Sequence, residues 1–326
     1  MGGALLWAIS SIIYAQAGQT AVPLVLNLAK GVVAIAFMII TLGIQRSPLP
    51  SLDAWDWLLL MGSGIVGIGI GDTVFFMALN SLGARRTVLL EALAPPLAAL
   101  LAIAFLGEIL GWAAYGGIVL TVLGVTWVVL ERTGDEAPPS THPSNRPSVA
   151  STAEGKAKGT VKEAMESETG LPGAFQTQYR QGLIYALLAA LCQATGAVMT
   201  RAALVDTTIS PLWSGLIRLS AGTLLVLILV GSLTITQRLE RHVFHPLRSP
   251  SFLGLIAITA FGSTFLAIWL QQTALKFTAT GIAQALTSTS PLFVIPFAMM
   301  MGDRITARSV LGVLVALGGV WLLFLN

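Results

Sequence analysis

Ten apolar stretches follow one another along this 326-residue chain, most of them separated by short polar connections. A helix that crosses a bilayer needs about 20 predominantly apolar residues, and only helices and closed barrels satisfy all their backbone polar groups in lipid. The sequence therefore predicts an all-α integral membrane protein with ten transmembrane helices. In chain order, the predicted spans are Gly3–Ala17, Val22–Ile44, Trp55–Leu79, Thr87–Phe105, Ala113–Leu130, Gly182–Met199, Pro211–Leu233, Phe252–Gln272, Gly281–Met301 and Ala307–Leu325.

The low charge content supports lipid as the main solvent of this chain. Only 10% of the residues are charged and 55% are hydrophobic, whereas a soluble domain carries about a quarter charged residues. The net charge is only +3, and the basic residues are scattered over the connections, so nucleic acid is not an expected partner. We expect the lipid bilayer and a small-molecule solute as partners, and a monomer or weak homo-oligomer as the assembly.

A change of composition divides the chain into two membrane domains. Between Glu131 and Arg180 the sequence is rich in Pro, Ser, Thr, Gly, Glu and Lys and poor in large apolar side chains. Such a segment cannot bury enough apolar surface to order itself. We predict a flexible polar linker over residues 132–180, between one five-helix repeat at 1–131 and a second at 181–326.

The two membrane domains repeat the same motifs in the same order. The run PLAALLAIAFLGE (Pro96–Glu108) matches PLFVIPFAMMMGD (Pro291–Asp303), and in each the acid lies twelve positions after the first proline. Five helices is an odd number, so the second domain enters the membrane from the opposite side. This predicts inverted repeats, an arrangement of secondary transporters whose substrate sites lie near the bilayer midplane between the repeats.

A glycine motif closes each repeat. GIVLTVLGV (Gly117–Val125) matches GVLVALGGV (Gly312–Val320), and glycines seven positions apart share one helix face, two turns from each other. Glycine costs about 1 kcal/mol relative to alanine inside a helix, so its use in a span indicates a closely packed neighbouring helix. We expect the fifth and tenth spans to pack together through Gly117, Gly124, Gly312 and Gly319. The alternative is that each helix packs only within its own repeat.

These paired motifs resemble the drug/metabolite transporter superfamily, specifically its EamA-type ten-helix transporters. The resemblance covers nearly the whole chain except the linker, and Asp303 stands where the family usually has Glu. It implies a membrane transporter whose first, third, fourth, sixth, eighth and ninth helices line a central cavity. It also implies a location in the cell membrane, in bacteria the inner membrane, with both termini in the cytoplasm. It does not specify the substrate, because the family is broad.

Four ionisable residues lie inside predicted spans, where each is costly and therefore a functional candidate. Glu91 is in the fourth span beside small residues that leave room for a cavity, and Asp72 is in the third. Either carboxylate could bind a cationic group or exchange a proton. Lys30 and Arg218 are intramembrane cations at matching places in the second and seventh spans. The alternatives are structural ion pairs for the acids and snorkelling to the headgroups for the cations.

Polar and aromatic side chains within other spans complete the predicted site. Trp7 and Tyr14 share one face of the first span, Trp269 and Gln272 share one face of the eighth, and the family resemblance implies that these faces line the cavity. The hydroxyls of TSTSP in the ninth span either line it or only stabilise a proline kink. The predicted substrate-binding residues are Glu91, Trp7, Tyr14, Gln193, Trp269, Gln272, Thr287, Ser288 and Ser290.

The sequence offers little for a metal, a cofactor or an enzyme. His142, His242 and His245 all fall in connections, and the two histidines of HVFH have no third ligand nearby. We expect no cofactor, no metal site and no catalytic residues. The glycine run Gly62–Gly71 lies inside a predicted span, where close helix packing explains it better than nucleotide binding.

The sequence thus predicts a secondary transporter of a small organic metabolite, with an amino-acid-like solute preferred, export as the direction and proton antiport through Glu91 as the sharper form. The alternatives are a facilitative or multidrug carrier of amphipathic cations, or a lipid-handling or scaffold protein. Orientation is ambiguous. Counting Lys and Arg in short loops favours termini outside, against the cytoplasmic termini that the resemblance implies.

Overall fold

The computed structural model of the chain describes residues 2–109, 111–130, 171–205, 207–236, 241–287, 290, 293 and 307–322. Residues 132–170 of the predicted linker and most of the ninth span lie outside these ranges. The described chain is helical and contains no strand. Its helices are α1 (Gly2–Ala17), α2 (Pro23–Gln45), α3 (Ala54–Ser63), α4 (Asp72–Glu91), α5 (Ala94–Leu106), α6 (Trp112–Leu130), α7 (Leu171–Leu204), α8 (Pro211–Ile235), α9 (Pro250–Ala260), α10 (Ala267–Phe277), α11 (Thr280–Thr287) and α12 (Ala307–Leu322).

These helices account for all ten predicted spans, the ninth only through its first turns in α11. A π-helical segment, Gly64–Gly71, joins α3 to α4, and another, Phe261–Leu266, joins α9 to α10. The stretches that are long and apolar enough to cross a membrane are Pro23–Gln45, Ala54–Glu91, Thr177–Leu204, Pro211–Ile235 and Pro250–Phe277, and the shorter apolar helices are Gly3–Ala17, Ala94–Leu106, Trp112–Trp127 and Val310–Leu322.

The third and fourth spans meet at Gly83. Its φ of +77° lies in a region that glycine adopts without steric cost, and the helical path of α4 breaks there. Residues before Gly83 complete the third span and those after it begin the fourth. The fourth span therefore begins before Thr87, its predicted first residue, because no helix breaker lies between Gly83 and Thr87.

The glycine helices of the two repeats, α6 and α12, cross in direct backbone contact. A Cβ on Gly124 would lie 2.7 Å from the carbonyl oxygen of Gly312, and a Cβ on Gly319 would lie 2.6 Å from that of Gly117. The first glycine of each helix thus meets the second glycine of the other, so the two helices run antiparallel. Equivalent helices of parallel repeats would run the same way, and the antiparallel crossing agrees with repeats of inverted topology.

The π-helical segment after α3 brings the third span against the second repeat. A Cβ on Gly222 of α8 would lie 2.6 Å from the carbonyl oxygen of Gly64, and a Cβ on Gly64 would overlap the backbone of Arg218. Close approach of this kind requires glycine on both helices. The glycine run Gly62–Gly71 therefore serves helix packing, and it brings the third span into backbone contact with α8.

Candidate functional site

A cavity lies between the two repeats. It contains about 800 Å³ of empty space, counting the part that opens outward, and both repeats contribute to its wall. Small-molecule sites combine mostly apolar walls with a few convergent polar groups, and this wall contains both kinds of residue. The predicted site residues that line it are Trp7, Lys30, Asp72, Glu91, Gln193, Arg218 and Ser290.

Glu91 reaches the cavity at a break in the fourth span. Helix α4 ends at Glu91, residues 92 and 93 form a turn, and α5 begins at Ala94. The carbonyls of Glu91 and Ala92 would accept from residues four positions later, which are Pro95 and Pro96 and have no N–H. Glu91 and Ala92, which both line the cavity, therefore have carbonyl oxygens without a helical donor four positions later, and unwound backbone carbonyls of this kind can coordinate a cation.

One hydrogen bond orients the Glu91 side chain. The indole Nε1–H of Trp7, in α1, donates to Glu91 Oε2 at 3.1 Å. The Trp7 ring lies 5.5 Å from the ring of Phe75, centroid to centroid, which fixes the indole against the third span. Glu91 is half-buried because it faces the cavity. The carboxylate is thus held in place while its second oxygen has no described partner.

Lys30 and Asp72 form an ion pair within the wall of the cavity. Their side chains are 2% and 6% exposed, and Lys30 Nζ donates to Asp72 Oδ2. Asn27, one turn before Lys30, donates to Thr73 Oγ1 at 2.9 Å and so ties α2 to α4 beside the pair. Of the two sequence-based interpretations of Lys30, the structure agrees with the ion pair and not with snorkelling.

Breaking this ion pair on one side is expected to destabilise the protein. Lys30→Met leaves a buried carboxylate without its cation, which costs about 3–5 kcal/mol, whereas Lys30→Met combined with Asp72→Asn removes both charges and restores most of the loss. Thermal unfolding of the purified protein in detergent measures both effects. A double variant as unstable as the single one would contradict a mainly electrostatic role for the pair.

Arg218 is the second cation in the wall, and it lies in α8. Its residue is 2% exposed, and its Nε and Nη1 atoms have no hydrogen-bond partner among the described residues. Gly67 and Gly196 lie beside the guanidinium, since a Cβ on either would lie at an ordinary contact distance from Nη2, 3.4 or 3.5 Å respectively. The structure thus agrees with a buried position for Arg218 and not with snorkelling.

Two predicted residues of the eighth span, Trp269 and Gln272, do not line the cavity. Gln272 is fully buried and its Oε1 accepts from Ser214 of α8 at 3.0 Å. The residues of this span that do line the cavity include Thr264, Ile268 and Gln271. Ile268 and Gln271 each come one position before a predicted residue. One residue is about 100° of helix rotation, so the sequence identified the helix but not its cavity face.

The other predicted residues lie at different depths. Tyr14 is buried behind the wall, with its hydroxyl 3.5 Å from that of Ser263, which lines the cavity. Ser290 is buried and lines it too. The side chain of Thr287 and all of Ser288 lie outside the described residues.

A series of hydrogen-bonded glutamine side chains in this wall was not predicted from the sequence. Gln271 Nε2 donates to Gln284 Oε1 at 3.1 Å, and Gln284 Nε2 donates to the carbonyl oxygen of Gln193 at 3.3 Å. All three residues line the cavity. A glutamine inside a span needs a partner, so Gln271 and Gln284 carried the same signal that singled out Gln193. In the described residues, no group of three or more His, Cys, Asp or Glu could hold a metal ion.

Comparisons with known proteins agree with this architecture. The model of the EamA-like transporter family matches residues 1–130 and again residues 180–325. A solved structure described only as "Crystal structure of protein" superposes with a TM-score of 0.63 over 99% of this chain and 94% of that one, at 17% sequence identity. At that identity the likeness concerns the fold alone. No curated protein sequence matches the chain.

Proposed function

The chain belongs to the EamA-like transporter family and is a multi-pass membrane transporter of the drug/metabolite type, and we propose that it moves a small organic solute through the cavity around Glu91. The observation that carries this proposal is an acid in the cavity wall with one described partner, an indole donor at 3.1 Å. A carboxylate kept in a membrane domain without a cation beside it is costly, and a cationic ligand offsets that cost.

The preferred solute is amino-acid-like. The Glu91 carboxylate and the carbonyls of Glu91 and Ala92 suit an ammonium group. Sugar phosphates or nucleotides would need several free cations, but Lys30 is paired with Asp72. This leaves Arg218 as the cavity-lining cation without a described acid partner, which suits a solute with a single carboxylate.

Transport would proceed by rocking one repeat against the other. The crossing of α6 and α12 joins the repeats as a close backbone contact, which suits a pivot. At another contact, Glu108 at the end of α5 accepts from the hydroxyl of Thr280 at 3.0 Å and lies 3.7 Å from Nε of Arg201 in α7. These polar contacts join the first repeat to the second, so we propose that they open and close during the cycle.

The proposal extends to the direction of transport and to its coupling to protons. Export of the solute in exchange for a proton fits a family member with a carboxylate in its cavity, because Glu91 can bind either a proton or a cation. The proposed location is the cell membrane, in bacteria the inner membrane, with both termini in the cytoplasm. The distribution of Lys and Arg opposes that orientation, and protease access to a C-terminal tag in spheroplasts distinguishes the two.

The direct test is transport by the purified full chain in proteoliposomes loaded with a pool of unlabelled amino acids and offered the labelled ones. We expect exchange at least about tenfold above protein-free liposomes for some members of the pool, and further stimulation by an imposed pH gradient. Exchange that ignores the gradient would indicate a facilitative carrier. Uptake of amphipathic cations alone would indicate a multidrug carrier, and no movement of either class would favour a scaffold or lipid-handling role.

A further inference from the structure

The guanidinium of Arg218 lies in the wall of the transport cavity with donors that lack partners. The residue is 2% exposed, it lines the cavity, and Nε and Nη1 lack hydrogen-bond partners within the described residues. Asp72 attracts Arg218 electrostatically, but it forms its ion pair with Lys30. Arginine side chains remain protonated under nearly all conditions in proteins, and leaving the buried donors of a charged group unsatisfied is costly. An anion that accepts hydrogen bonds from the guanidinium would offset this cost.

The backbone of Arg218 is closely packed against the third span. The Arg218 backbone packs directly on Gly64, so α8 cannot shift without breaking the contact with the third span. Nη2 of the guanidinium lies beside the place where Gly67 of the π-helical segment packs on Gly196 of α7, since a Cβ on either glycine would be 3.4 or 3.5 Å from Nη2. The two backbones approach closely there, because a Cβ on Gly196 would lie 3.3 Å from the Cα of Gly67.

The two acids that line the cavity in the described fold do not bond to Arg218. Asp72 bonds to Lys30. Glu91 accepts from Trp7. Arg218 forms no hydrogen bond or ion pair with either acid within the described residues, so a solute in the cavity is the acceptor that remains.

We propose that Arg218 binds the carboxylate of the transported solute. This inference rests on the proposed function and deepens it, because it assigns the anionic half of an amino-acid-like solute to Arg218 and the ammonium half to the Glu91 end of the cavity. Guanidinium is the side-chain group best matched to a carboxylate, with donors arranged as a planar fork.

The test compares three solutes of matched size on the purified full chain in detergent: phenylalanine, its amide and phenethylamine. Competition against the best-transported labelled amino acid gives the affinities. We expect wild type to bind the amino acid about 10- to 100-fold more tightly than the two solutes without a carboxylate, since a hydrogen bond to a charged group contributes that much. Equal affinities in wild type would overturn the proposal without any variant.

Variants then locate the effect. Arg218→Gln is expected to weaken amino acid binding about 10- to 100-fold while changing phenethylamine binding less than about twofold, and Arg218→Lys is expected to fall between, because lysine keeps the charge but not the fork. Arg248→Gln, an exposed arginine, serves as the control and is expected to match wild type. Equal losses for all three solutes in Arg218→Gln would indicate a structural role and overturn the assignment.

The outcomes separate this inference from the proposed function. If wild type transports amino acids and Arg218→Gln binds them as tightly as wild type does, only the Arg218 assignment fails. If wild type transports cations lacking a carboxylate and ignores amino acids, the proposed solute class and the assignment both fail, while the transporter identity stands.

Discussion

Replacing Glu91 by Gln is expected to reduce amino acid exchange by proteoliposomes about 10- to 100-fold and to remove any stimulation by a pH gradient. The amide has nearly the same shape and still accepts a hydrogen bond from Trp7 Nε1, which donates to Glu91 Oε2 at 3.1 Å. It cannot carry a negative charge or a proton. The loss corresponds to a hydrogen bond between charged groups, so it reports charge rather than packing.

Two further variants separate this role of Glu91 from its surroundings. Glu91→Asp keeps the charge on a shorter stem and should retain part of the exchange and the gradient dependence. Trp7→Phe removes the indole donor while keeping an aromatic ring beside Phe75, and we expect a loss of only a few-fold, because the carboxylate remains. Exchange by Glu91→Gln at the wild-type rate and with the wild-type gradient response would reject Glu91 as the coupling residue.

Much of this architecture was predictable because the bilayer leaves few choices to a chain. The apolar stretches needed helices, and the odd number of helices in each repeat implied inversion. The expense of a charge in lipid also explains why Glu91, Asp72, Lys30 and Arg218 could be singled out from sequence: each needs a protein partner, a ligand or a cavity. All four line the cavity in the structure.

The partners of those charges could not be predicted, because they depend on how distant helices are rotated about their axes. Asp72 and Lys30 are 42 positions apart, and the sequence could not choose between Lys30 and nearby arginines as its cation. The rotation of the eighth span about its axis could not be predicted either. In the structure Gln272 contacts Ser214, and Gln271 lines the cavity. A pattern of small and apolar side chains does not distinguish two helix faces that differ by one residue, which is about 100° of rotation.

The break after Glu91 was also missed, although its cause is in the sequence. Pro95 and Pro96 remove two consecutive backbone donors, and proline is often tolerated in a span without ending the helix, because neighbouring groups satisfy the freed carbonyls. Whether a helix kinks or breaks depends on those neighbours. Only the structure shows that α4 stops at Glu91 and that Glu91 and Ala92 line the cavity.

Adding one methyl group at the crossing of α6 and α12 is expected to destabilise the protein strongly. In Gly124→Ala the new Cβ would lie 2.7 Å from both the Cα of Ala316 and the carbonyl oxygen of Gly312, and in Gly319→Ala it would lie 2.6 Å from the carbonyl oxygen of Gly117. These are backbone atoms, which cannot move aside as a flexible side chain could. Overpacking of this kind costs about 1–3 kcal/mol, so each variant should unfold at a clearly lower temperature in detergent.

The same two helices supply matched controls. Gly116 has nothing within 4 Å of its would-be Cβ, and Gly318 has only Leu120 Cδ2 at 3.7 Å, an ordinary contact. Gly116→Ala and Gly318→Ala make the identical chemical change on neighbouring positions, and they should leave the unfolding temperature unchanged or raise it, because alanine is favoured over glycine in a helix by about 1 kcal/mol. A fall of similar size at all four positions would mean that the crossing carries no special constraint.

Transport by the same four variants tests whether this crossing is a pivot or only a structural contact. If rocking occurs about α6 and α12, separating their backbones changes the geometry of both end states, so exchange by Gly124→Ala and Gly319→Ala should fall even at temperatures where they remain folded. The Gly116→Ala and Gly318→Ala proteins should exchange at the wild-type rate. Normal exchange by folded Gly124→Ala would leave α6 and α12 as a clamp that holds the repeats together, and the pivot would then have to lie among the helices that line the cavity.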